Sequence, residues 1–384
     1  MIVCFALRRL RGFVLKNQKD LMMKQSGLVL GLLVAMGAAC SGSEAGAGTT
    51  EVVLDSAEAS IPELDHVSGI AELPDGRVVL TQGAVPAVLF ADLTTGELDT
   101  IGRSGEGPGE YRFPGDVFIR DGRVHVFDFG PRRLTSWNFD GSLDTTLSIA
   151  TMPGFDIAFD TLGYLYAEQP TTEGFVVIGQ ELDSTRSKDS TYIYRLRPNE
   201  AERDTVGRLF EIGNEIIRVG NGIARMRRLY QSADVWGVTP DGMLWIARGR
   251  ENRVDRRAPD GTWALGTPRP FTPIPTTEAD RQKLPPFRGL PGDSVERELP
   301  KEKGPYQDAV GAPDGEVWTR LNQPAGFTRE IYAIHPVSGP PERTVSFPKG
   351  YRIRAITDRF VYVTHEDENG FQVLERFRRP ANQG

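Results

Sequence analysis

The chain has 384 residues, of which 39% are hydrophobic and 25% charged, and its formal net charge is −7. That length allows two ordinary domains or one large β domain, and that composition excludes a mostly disordered chain. The acidic balance argues against nucleic acid as a partner, because phosphates demand a basic surface. Gly (42) and Pro (27) are abundant, as expected where many turns join many short strands.

Residues 1–39 read as a signal peptide. Arg8, Arg9, Arg11 and Lys24 precede an unbroken run of 13 weakly to strongly apolar residues, Gly27–Ala39. Basic residues followed by such a run form a secretory signal, and the run is shorter than the ~20 residues that span a bilayer. It ends Gly37-Ala38-Ala39-Cys40. This resembles the signal of a bacterial lipoprotein, with Gly37 where that pattern carries Leu. The resemblance implies acylation of Cys40 and a membrane partner reached through the N-terminal lipid. It also implies an exported protein of the cell envelope, an outer-membrane or periplasm-facing lipoprotein. The alternative is an ordinary secretory signal cut nearby. Met22 or Met23, rather than Met1, would open a signal of normal length. Removal of residues 1–39 deletes six of 45 Lys+Arg and one of 52 Asp+Glu, leaving 39 against 51, a net charge of −12. Cys4 lies in the discarded part and Cys40 carries lipid, so the folded part is expected to hold neither disulfide nor thiolate. Residues 40–50, Gly, Ser and Ala with one Glu before the closing Thr pair, read as a lipidated tether.

Strand signals dominate from residue 51. Val52-Val53-Leu54 is a short strand standing before the first full repeat. Six times a tight turn is followed by an alternating apolar run: Asp75-Gly76, Asp121-Gly122, Leu162-Gly163, Asp241-Gly242, Asp314-Gly315 and Asp358-Arg359. Spacings between the second turn residues are 46, 41, 79, 73 and 44. Asp-Gly between alternating runs marks a hairpin, since tight hairpin turns need positive φ. A period in the 40s built of four antiparallel strands indicates a β-propeller. The expected fold class is all-β: a six-bladed β-propeller over residues 51–380. The two long spacings hold insertions at about 211–229, hairpin-like around Gly220-Asn221-Gly222, and at about 269–303, with a short helix opened by Thr276-Thr277-Glu278. Eight blades, two of them degenerate, is the competing count. The sixth repeat is one strand short. Val52-Val53-Leu54 is the expected supplier of that strand, which would close the ring by pairing the two chain ends and remove exposed sheet edges.

The repeats resemble those of NHL-like six-bladed propellers of the bacterial lipoprotein type. The stretch Ile101–Tyr111, with Gly105-Glu106-Gly107-Pro108-Gly109 inside it, resembles a recurring loop of that group, as does Val124–Asp128 followed by Arg132-Arg133. The resemblance implies architecture more than activity, because the fold hosts binders, lyases and lactonases alike.

Ligands of propellers meet the axis where the inner strands converge. Four repeats place an Asp near the start of the inner strand: Asp116, Asp156, Asp234 and Asp308. The first repeat offers His66 and the sixth Arg352 and Arg354. As a functional set these would form an acidic ring that favours a cation, calcium among them, or a cationic ligand. As a structural set each Asp would accept backbone N–H groups of a neighbouring blade. His66, His125, His335 and His365 lack metal-ligand spacing, and His125 reads as a packed strand residue. The five Trp read as packing between blades, and Arg225, Arg227 and Arg228 beside Tyr230 as a charged strand face. The expected function is a ligand-binding or protein-interaction module, its ligand a protein or a small molecule. The alternative is a metal-dependent lactonase-like hydrolase or a lyase using the axial carboxylates.

Overall fold

The computed structural model describes residues 50–149, 157–168, 176–178, 190–197, 202–210, 215–219, 222–226, 229–282, 299–339 and 343–381. Cys40, Asp156, Arg227 and Arg228 lie outside them. Six four-stranded sheets follow one another along the chain, each antiparallel within its repeat. Blade 1 is Val67–Glu72, Val78–Gln82, Ala87–Asp92 and Glu97–Ser104; blade 2 is Pro114–Arg120, Arg123–Asp128, Arg133–Asn138 and Leu143–Ser148. Blade 3 is Ile157–Phe159, Leu165–Glu168, Ser190–Leu196 and Arg203–Phe210; blade 4 is Val235–Val238, Leu244–Arg248, Arg253–Arg257 and Trp263–Ala264. Blade 5 is Tyr306–Gly311, Val317–Leu321, Arg329–His335 and Arg343–Pro348. Blade 6 takes Arg352–Ile356, Phe360–Glu366 and Gln372–Arg378 from the end of the chain and Ala59–Leu64 from its beginning.

Strand alternation explains why these sheets assemble radially. Successive side chains leave opposite faces of a strand, so each blade feeds two apolar layers. Val361 and Val363 enter the layer shared with blade 5, while Phe360 and Tyr362 enter the layer shared with blade 1. Leu165 and Ala167 pack toward blade 2, while Tyr166 packs toward blade 4. Six such layers join every neighbouring pair of blades, including blade 6 with blade 1. The innermost strands also approach one another in cyclic order. The ring is therefore closed, with six blades.

The closing strand differs from the expected one. Val52 and Val53 pair in parallel with Val345 and Ser346, as a fifth strand on the outer edge of blade 5. Closure falls to Ala59–Leu64, whose Ile61 lies opposite Leu374. Its register slips between Ile61 and Leu64, where Pro62 cannot donate to the ladder and Glu63 has a φ of 58°.

The turns behave as their residues require. Gly76 and Gly315 sit at φ 90° and 86°, where a Cβ would be strained. The long connections are not degenerate blades. Val176–Ile178, Glu215–Val219 and Gly222–Met226 form a separate three-stranded sheet, and Ile274–Pro275 pairs with Glu302–Lys303. The helix is a single turn, Glu278–Arg281, with Thr277 at its N-cap. The Asp280 carboxylate there accepts the Thr277 N–H at 2.9 Å and the Lys303 Nζ at 2.6 Å. Trp137, Trp245 and Trp318 are buried, whereas Trp263 lies 38% exposed at the end of blade 4, so packing between blades does not account for it. The glycine-rich loop is a connector folded on its own carboxylate. Glu110 accepts the N–H groups of Gly107 and Glu106, and Arg133 of blade 2 donates to the Glu106 carbonyl.

Candidate functional site

The strand directions divide the disc into two faces. Every inner strand starts on one face and runs to its tight turn on the other. Connections from second to third strand, and from each outer strand to the next blade, therefore all lie on the starting face. The connections spanning 169–189, 211–234 and 265–305 leave and return there. His66, Asp116, Asp234, Asp308 and Arg354 lie at or near the starts of their inner strands, on the same face.

Their surroundings differ. Asp234 has only 2% of its side chain exposed. One oxygen accepts the Phe210 N–H of blade 3 at 2.9 Å and Arg248 Nη1 at 2.7 Å, and the other accepts the Gly249 N–H at 3.0 Å. It joins blades 3 and 4. Asp128, which the sequence did not single out, does the same for the connection into blade 2, accepting the N–H groups of Arg112 and Phe113. Asp116 is exposed on the inner strand of blade 2. His66 is exposed ahead of blade 1, its Nδ1 3.5 Å from Gln372 Nε2. His125 is packed in its strand, stacked on Phe118 and 2.8 Å from Ser136 Oγ.

Asp308 and Arg354 share a neighbourhood, between blades 5 and 6. Asp308 is 43% exposed and stands 2.8 Å from Arg320 Nη2 and 3.6 Å from Arg352 Nη1. Arg320 lies across from it in the ladder, is buried, and has an Nε without a hydrogen-bond partner among the described residues. Its Nη1 is 3.7 Å from Glu330, a buried carboxylate held chiefly by Lys349 Nζ at 2.7 Å. Arg354 donates its Nε to Thr364 Oγ1 at 2.8 Å. Tyr332 closes the cluster from below, its hydroxyl accepting the Ile353 N–H at 3.1 Å. Burial holds Arg352 and Arg354 below the usual guanidinium pKa. Mutual repulsion adds to it, from Arg320 on Arg352 and from Arg352 on Arg354, against the pull of Asp308.

Arg320 and Glu330 were missed from the sequence. The available signal was a charge inside the buried run Val317-Trp318-Thr319-Arg320, since a buried Arg demands a partner. The expected gathering of four Asp is not tested in full, because Asp156 falls outside the described residues. Among those residues no group of three or more His, Cys, Asp or Glu stands ready to hold a metal ion.

No family model matches the chain, and no curated protein does. Solved structures do. A member of the DUF4221 family from Bacteroides vulgatus aligns at 9% identity and TM-score 0.49, covering 85% of this chain and 98% of its own. The PQQ-bound aldose sugar dehydrogenase of Streptomyces coelicolor aligns at 14% identity and TM-score 0.44, covering 84% and 97%. A gluconolactonase from Xanthomonas campestris aligns at 12% identity and TM-score 0.42, covering 83% and 87%. At these identities the likeness concerns architecture and assigns no chemistry to this chain.

Proposed function

We propose that this protein is an exported, lipid-anchored propeller of the NHL-like type that acts as a ligand-binding or interaction module. Cys40 holds it to the envelope membrane, and its ligand meets the face on which the inner strands begin. The observation that supports this reading best is the asymmetry of the disc. On the opposite face the inner hairpins close in tight turns such as Asp75-Gly76 and Asp314-Gly315. On the starting face the connections into blades 4 and 5 reach about two and four tens of residues and build small sheets of their own. Elaboration confined to one face of a rigid scaffold is where binding surfaces are built.

Site-specific photocrosslinking tests the face. A photoreactive residue replaces Phe271, exposed in the insertion between blades 4 and 5, or Val337, exposed on the opposite face. Adducts in the native envelope are expected from position 271 and not from 337; equal labelling, or labelling from 337 alone, overturns the reading. For the anchor, Cys40→Ser is expected to move the chain from the membrane fraction to the soluble one. Retention in the membrane would remove lipidation from the proposal.

A further inference from the structure

We infer that the arginine cluster between blades 5 and 6 binds an oxyanion, the carboxylate or phosphate group of a small ligand reaching the starting face. The inference rests on the functional reading above and gives that ligand its chemical class. It inverts the expected electrostatics, in which converging Asp residues would attract a cation.

Charge balance carries the argument. Two ion-pair networks elsewhere in the disc match their directly paired charges, with Arg256, whose guanidinium is committed to backbone carbonyls, standing near both. Arg248 and Arg253 are in contact with Asp234 and Asp255, two against two. Arg343 and Arg379 are in contact with Glu316 and Asp314, again two against two. At the blade 5–6 junction Arg320, Arg352 and Lys349 are in contact with Asp308 and Glu330, three against two, and Arg354 stands near enough to Asp308 and Arg352 to feel both charges. Glu330 is buried and engaged by Lys349 and the Gly350 N–H. Four cations thus face two carboxylates, of which Asp308 is half-exposed and Glu330 buried, on a chain whose net charge is −7. A cluster of this sign on an acidic protein is not a sample of its average surface.

The geometry leaves room for an incoming anion. Arg352 is 46% exposed and lies 3.6 Å from Asp308, beyond hydrogen-bond length. Arg354 commits one of its five donors to Thr364. Arg320 holds Asp308 at 2.8 Å from below while its own buried Nε remains without a partner among the described residues. Asp308 therefore acts as a resident counter-ion. An external carboxylate or phosphate would take the outer donors of Arg352 and Arg354, which present the planar forks suited to such groups. The surrounding acidity disfavours a polyanion and admits a small one.

The test uses the purified full chain at low ionic strength, followed by thermal shift and isothermal titration calorimetry. The probes are inorganic phosphate and succinate, with calcium chloride and spermidine as cationic counterparts. Saturable binding of phosphate or succinate is expected, with a melting-point rise on the order of 2 °C. Response to phosphate alone assigns a phosphoryl ligand and response to succinate alone a carboxylate. Arg352→Gln, at a half-exposed site that folding tolerates, should weaken binding about tenfold or more, the loss expected for charge-assisted hydrogen bonds. Arg352→Lys should fall between, keeping charge but losing the fork. Asp308→Asn removes the competing carboxylate and should tighten binding several-fold. Circular dichroism of each variant checks that it is folded. The inference is overturned if neither anion binds, if Arg352→Gln and Arg354→Gln bind as the parent does, or if calcium or spermidine binds and Asp308→Asn abolishes it. Should the anions fail while position 271 still crosslinks, this inference falls and the binding face stands. Should both fail, the functional reading falls with it.

Discussion

A methyl group at Gly249 would lie 1.9 Å from the Ser232 carbonyl oxygen and 2.5 Å from its carbon. Those are backbone atoms of the segment leading into blade 4, so no side chain can rotate away to relieve the clash. Gly249→Ala should therefore cost more than ~2 kcal/mol. Gly370→Ala is the control: its φ is +86° but nothing lies within 4 Å, so only the left-handed backbone is penalised, at about 1 kcal/mol. Chemical denaturation of both variants measures the difference, and equal losses would show that packing at Gly249 yields. Arg256 presents the opposite case, a buried cation whose Nε and Nη2 reach the Gly315 carbonyl at 3.1 Å while Nη2 also reaches the His335 carbonyl at 2.8 Å. It ties blade 4 to blade 5. Arg256→Ala should cost about 3 kcal/mol, because two buried carbonyls lose their donor. The same pattern explains what the sequence could not convey about Asp234. An Asp ahead of an inner strand was legible, but its partners Phe210 and Gly249 come from the outer strand of blade 3 and a turn of blade 4, and only the assembled blades decide where the carboxylate points.

Hairpins were the most legible elements, since Asp-Gly followed by an alternating run carries both the turn and the pleat in a few contiguous residues. The outer strands were harder to read. Ala59–Leu64 contains Pro62 and Glu63, which weaken any strand signal, yet it closes the ring. Val52-Val53-Leu54 is richer in β-branched residues, yet it adds only an edge to blade 5. Propensity favours the wrong segment because closure depends on which one reaches Leu374, a fact of assembly. The two strands make different predictions. Ile61 is 2% exposed in the layer between blades 6 and 1, so Ile61→Ala should cost about 3 kcal/mol. Val53 is 51% exposed, so Val53→Ala should cost under ~0.5 kcal/mol. Thermal melts and limited proteolysis would separate them. A Val53 substitution as damaging as that at Ile61 would mean that blade 5's extra strand carries the closure.

At the scale of the whole molecule the six repeats were visible in the spacing of the turns, whereas the partners of Asp308 were not. Asp308 could be read as one of a ring of carboxylates, but Arg320 and Arg352 reach it from a neighbouring strand and a neighbouring blade. The closed ring also couples buried groups to stability against acid. His335 is packed between blades 4 and 5, 3.0 Å from Thr319 Oγ1, and burial together with the charges of Arg269 and Arg256 pushes its pKa down to about 3. Unfolded, the ring takes up a proton near 6.5. Between those values the unfolded chain binds more protons than the folded one, so stability rises with pH across that window. The contribution is complete above ~6.5 and is lost progressively toward 3 as pH falls. A second limb follows lower. Hydrogen bonds from Arg77 hold Asp75 below the usual carboxylate pKa, and those from Ser142 do so for Asp140. Stability from those groups is present above ~4 and disappears beneath it. The unfolding free energy of the parent, from denaturant titrations, should therefore already decline between pH 7 and 5, by about 2 kcal/mol from His335. His335→Gln cannot take up that proton and should decline less across the same interval, the remainder coming from His125, whose burial also lowers its pKa, while retaining the fall below pH 4. Parallel curves for parent and variant between pH 7 and 5 would mean that His335 admits its proton without unfolding, and that the layer between blades 4 and 5 opens more readily than its packing implies.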